Sequence, residues 1–131
     1  MMFMAIKSRE DIQDFLEKTN ALHDGYIINA HYTNSGISET ENGHYFNPKQ
    51  TKLLLQILVT SIGDAVVEIE FENLLEWQIK NTQWDITDTA VIFDEHHRIL
   101  WADDVYITMD EAKKGSYVIA EAMKWRLTNP A

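Results

Sequence analysis

The residues with the clearest chemical potential are three carboxylates spaced two apart, in the run Val67-Glu68-Ile69-Glu70-Phe71-Glu72. In an extended chain, alternate residues lie about 6.6–6.8 Å apart on one face. Glu68, Glu70 and Glu72 in such a row repel one another unless water or cations screen them. The stripe suits either a solvated strand face or a surface that meets the Lys and Arg side chains of another protein. Asp94-Glu95-His96-His97 is the second candidate. Asp94 and Glu95 would add carboxylates to the same partner-binding surface. His96 and His97 offer imidazoles to a divalent metal. Zinc takes three or four protein ligands, so His31 or His44 would have to complete the set. Adjacent strand residues point to opposite faces, so only a loop brings His96 and His97 together. The plain alternative is an exposed polar hairpin tip.

Other clusters are weaker. His23-Asp24 resembles the paired ligands of metal phosphohydrolases, but it falls at a helix-to-strand turn. There Asp serves the backbone and His suits a helix C-terminus. Asp103-Asp104 with Asp110-Glu111 lacks the glycine and spacing of a calcium loop, and reads as a solvated turn and helix cap. Trp77, Trp84, Trp101 and Trp125 suit core packing better than a ligand pocket. The chain has no cysteine, hence no disulfide and no thiolate chemistry. It has no phosphate-cradling glycine loop, no Gly-x-Ser-x-Gly turn and no His-Glu-x-x-His helix. No catalytic residue and no cofactor is assigned.

Charge narrows the partners. The net charge is −10, and between Asp64 and Glu111 thirteen acidic residues face only Lys80 and Arg98, a local −11. Such a field repels nucleic acid and anionic lipid and attracts basic protein surfaces. No stretch approaches the roughly 20 apolar residues that span a bilayer. The opening Met1-Met2-Phe3-Met4-Ala5-Ile6 has no basic segment before it, so a first strand or a start that packs on the core suits it better than a signal peptide. A cytoplasmic location is expected.

The elements that must position these residues follow from period and turn chemistry. Ser8 is a helix cap, with Asp11 three residues later. Ile12, Phe15, Leu16 and Thr19 then form one apolar stripe. Tyr26, Ile28, Ala30 and Tyr32 share one face of a strand. Residues 34–50 read as a long loop. Residues 53–59 are almost wholly apolar, as in a strand covered on both faces, and residues 66–74 form a strand with clear alternation, Val67, Ile69 and Phe71 on one face and Glu68, Glu70 and Glu72 on the other. Residues 75–88 are ambiguous, with Trp77 and Trp84 as anchors. Residues 90–93 and 98–102 form a hairpin around residues 94–97. Residues 117–127 carry both good helix formers and an alternating apolar set; the opening Tyr, Val and Ile favour a strand.

Leu22-His23-Asp24-Gly25-Tyr26-Ile27, the Val67 to Glu72 run and Ile119-Ala120-Glu121-Ala122-Met123-Lys124-Trp125-Arg126 together resemble small uncharacterised bacterial α+β proteins that open with His-Asp-Gly or His-Asp-Ser. Some of that group are regarded as immunity proteins, which neutralise secreted toxins by binding them. The resemblance implies a small α+β domain and carries over no catalytic residue.

The expected fold is therefore a single α+β domain over residues 1–131, with a short N-terminal helix packed on a mostly antiparallel sheet of about six strands. The expected function is non-enzymatic binding of a basic protein, as monomer or homodimer. The alternatives are a metal- or small-ligand-binding domain using His96 and His97, and a structural domain that self-associates through an apolar sheet face.

Overall fold

The computed structural model describes residues 2–80, 85–105 and 108–128. A two-residue strand, β1 (Met4–Ala5), precedes the helix α1 (Arg9–Lys18). The Ser8 hydroxyl accepts the Asp11 N–H, and the Asp11 carboxylate accepts the Lys7 N–H. Glu10 and Asp11 sit at the positive end of the helix dipole and Lys18 at the negative end. Ile12 and Phe15 are the buried residues of α1. Phe15 meets Trp125 edge-on, with ring centroids 5.2 Å apart. A helix this short is marginal by itself, so that packing holds it.

The main strands are β2 (Gly25–Asn34), β5 (Thr51–Val59), β6 (Ala65–Gln78), β7 (Ala90–Phe93), β8 (Ile99–Ala102) and β9 (Tyr117–Thr128). They lie in the order β2-β5-β6-β9-β8-β7, and β1 pairs with the far end of β9. Every one of these pairings is antiparallel. Among the described residues the sheet thus has seven strands, one more than the apolar runs suggest, because β1 is too short to show a period. A separate hairpin, β3 (Ile37–Thr40) with β4 (Gly43–Phe46), occupies the segment expected to be a loop. All eight of its residues are exposed, so no buried face imposes alternation on them. A short helix, α2 (Met109–Ala112), precedes β9.

One face of the sheet is the core. Leu53, Leu55, Ile57 and Val59 on β5 meet Val67, Ile69 and Phe71 on β6, with Trp101 on β8 and Met123 and Trp125 on β9. The other face of β5 is only half-buried, at Leu54 and Leu58, rather than covered by a second layer. The residue after Glu72, Asn73, takes φ +58, and the buried positions of β6 change parity from Phe71 to Leu74. Asn tolerates this left-handed backbone better than most residues. A bulge follows between Leu74 and Glu76, after which β6 runs on to Gln78. Trp77 then stacks on Tyr32 of β2, with centroids 5.7 Å apart. Trp84 lies outside the described residues. An isolated antiparallel bridge between Gly25 and Ile86 ties the chain leading into β7 back to the start of β2. Among the described residues no helix is long and apolar enough to cross a membrane.

Candidate functional site

The glutamate stripe lies on the outer face of the sheet, and its charges are met from within. Glu68 opposes Gln56 on β5 and Arg126 on β9. Gln56 Nε2 donates to its carboxylate at 3.1 Å and Arg126 Nε at 2.8 Å. Glu68 is only 6% exposed. Glu70 lies 3.5 Å from Lys52 Nζ and 3.4 Å from Lys124 Nζ, and Lys124 is also 3.1 Å from Glu72. Glu72, against the cost of burial and with help from Glu70, holds the Lys124 ammonium above its ordinary pKa. Both cations also pack over the Phe3 ring, Arg126 at 4.3 Å and Lys124 at 5.3 Å from its centroid. This corrects the expectation of a solvated carboxylate face. Register places the basic residues of β5 and β9 across from the glutamates, and a single strand's sequence does not reveal that register.

The hairpin tip is likewise organised for its own turn. Asp94 accepts the N–H groups of His96 and Arg98 and the Arg98 guanidinium at 2.7 Å. Burial works against it, but these donors hold the Asp94 carboxyl below its ordinary pKa. His97 stacks on Phe93 with centroids 4.4 Å apart, while His96 lies 3.4 Å from Glu95. The two imidazoles therefore serve different neighbours. His31 is on β2 and His44 on β4. Among the described residues no three His, Asp or Glu side chains converge as metal ligands. Trp101 and Trp125 are core residues and Trp77 is partly exposed, so these three do not share a pocket.

What the structure adds is the edge of β2. This strand ends the sheet, and among the described residues 26–34 pair on one side only, with β5. Edge strands are normally blunted by charges, prolines or brevity. The ten residues of β2 include no Asp, Glu, Lys, Arg or Pro. Its one irregularity is the register shift between Ile27 and Asn29, which pairs Tyr26 with Leu58 on the outer face but Ala30 and Tyr32 with Leu55 and Leu53 on the core face, so the four residues expected to share one face do not. Tyr26, Ile28 and Tyr32 are exposed, Ile28 to 55%.

Beside the first half of β2 is a groove of about 570 Å³ whose far wall carries Ile79, Lys80, Asp85, Asp103, Asp104 and Ser116. Ser116 Oγ accepts the Lys80 N–H, and the Lys80 ammonium donates to the Lys114 carbonyl at 2.7 Å. Among the described residues no cation forms an ion pair with Asp85 or Asp104. The His23 ring Nδ1 lies 2.6 Å from the carbonyl of Thr87, which lines the groove, and Nε2 lies 3.7 Å from Asp24. The Thr87 carbonyl, then Asp24, with smaller help from Asp88 and Asp85, raise the His23 pKa above 6.5. An open backbone edge next to carboxylates can bond an extended chain and hold its cations. The missing charges of β2 are visible in the sequence, but its place at the sheet edge is not.

Comparison with protein-family models, curated proteins and solved structures finds no match for this chain.

Proposed function

We propose that this chain is a non-enzymatic binding module for a basic protein, acting in the cytoplasm. The observation that carries the reading is where negative charge is left over. Glu68, Glu70 and Glu72 are matched by Arg126, Lys124 and Lys52, and Glu76 by Lys113, whereas Asp85 and Asp104 stand without an ion-pair partner among the described residues beside the exposed edge of β2. Carboxylates placed this way steer a cationic partner and select against acidic ones. The resemblance to immunity-type proteins makes a basic toxin the first partner to try.

The test is affinity isolation from the protein's own host at low salt, with elution by a salt gradient and mass spectrometry of what elutes. A predominant basic protein released by moderate salt supports the reading. Elution of only neutral or acidic proteins, or of none, overturns it.

A further inference from the structure

We infer that the partner docks as an added β-strand along the edge of β2 that is unpaired among the described residues, an extended segment whose Lys or Arg side chains reach Asp85 and Asp104. This docking mode rests on the chain being a binder of a basic protein. The edge itself states the need. Ten residues of uncharged, proline-free strand with Tyr26, Ile28 and Tyr32 exposed are an invitation to pair. The Gly25 to Ile86 bridge occupies the start of this edge, which leaves residues 27–34 for an incoming strand. A segment opposite them is about eight residues, or roughly 26 Å, long.

Charge chooses among occupants. A second copy would bring its own net −10 and the same carboxylates to the edge, and like charges across an interface are unfavourable. A basic segment gains backbone hydrogen bonds from β2 and ion pairs from Asp85 and Asp104. Main-chain pairing supplies affinity in such strand addition, and alternate side chains supply specificity.

The probe is a capped ten-residue peptide alternating Lys and Val, with an alternating Glu and Val peptide as control. Hydrogen exchange of the full chain, read by mass spectrometry, should show new protection within residues 26–34 with the Lys peptide. Affinity should fall as salt rises. Asp85→Asn with Asp104→Asn should weaken binding at least fivefold. Ile28→Lys, at an exposed position, should do the same with an unchanged circular dichroism spectrum. Equal binding of the Glu peptide, no binding of the Lys peptide at millimolar concentration, or protection on the outer face of β6 and β9 instead would overturn the inference. So would a concentration-dependent dimer that protects the same amides without peptide. A basic partner captured from the host whose footprint lies off β2 overturns the docking mode alone and leaves the binding function standing.

Discussion

Arg126 and Glu68 sit directly opposite one another on β9 and β6, and the arginine donates to a carboxylate that is almost fully buried. The acidic stripe of β6 is therefore part of how the sheet holds its register. Cross-strand pairs of opposite charge are a common unit of sheet stabilisation. Here the carboxylate is sheltered enough that losing its partner leaves a buried charge behind.

Replacing Arg126 with Met should destabilise the fold by about 2 kcal/mol or more, since removing one member of a buried pair strands the other, while the partial exposure of Arg126 moderates the loss. The Arg126→Met, Glu68→Gln double variant should recover part of that stability. Urea unfolding midpoints of the three proteins measure it. Equal midpoints for Arg126→Met and the parent would mean that the pair contributes nothing.

Phe15→Ala should cost about 3–5 kcal/mol, the usual penalty for deleting a fully buried aromatic side chain. Phe15 has no exposed surface and touches Trp125 edge-on. Thermal unfolding should show the loss, and the Trp125 environment should change in the near-ultraviolet spectrum. A cost below about 1 kcal/mol would place α1 outside the cooperative core.

Gly36→Ala should loosen the stem of the β3 and β4 hairpin. A Cβ at Gly36 would overlap the Asn47 carbonyl oxygen, which is backbone and cannot swing aside. The Asn47 N–H to Gly36 carbonyl bond should weaken with it. Faster amide exchange across residues 36–47, with the core strands unchanged, is the expected result; an unaltered exchange pattern would contradict the close approach.

His23 gives a pH dependence whose sign is fixed. Its folded pKa is raised above 6.5 by the Thr87 carbonyl and then Asp24, so the folded state holds the proton more tightly than the unfolded chain. The stabilisation is fully present below pH 6.5 and is lost as pH rises through the folded value. Because the ring ties the turn to residue 87, the segment around the Gly25 to Ile86 bridge should loosen over that range. Nuclear magnetic resonance titration of the imidazole gives the shift directly. His23→Gln should flatten the slope of stability against pH in this window; an unchanged slope would assign it to another group.

Much of the strand and turn chemistry was legible in the sequence, because buried faces impose a period. The alternation of Val67, Ile69 and Phe71 marks β6, and Tyr117, Val118 and Ile119 open β9 as a strand despite the helix formers after them. Ser8 and Asp11 mark the start of α1. Where no face is buried the signal vanishes, as in the exposed hairpin from Ile37 to Phe46. The site was less legible still. Glu68, Glu70 and Glu72 look like a free acidic surface until the pairing of β6 with β9 puts Arg126 and Lys124 across from them. Asp85, Asp104 and the first half of β2 are far apart in sequence and become neighbours only where the fold sets them around one groove.

The most direct measurement is the association rate with the captured basic partner, compared between two charge-matched variants. Asp85→Asn with Asp104→Asn and Glu70→Gln with Glu72→Gln each remove two negative charges, so a general loss of steering affects both equally. Association slowed several-fold more by the Asp85 and Asp104 pair is the expected result. Equal slowing, or a larger effect from Glu70 and Glu72, would contradict placing the acidic contact beside β2.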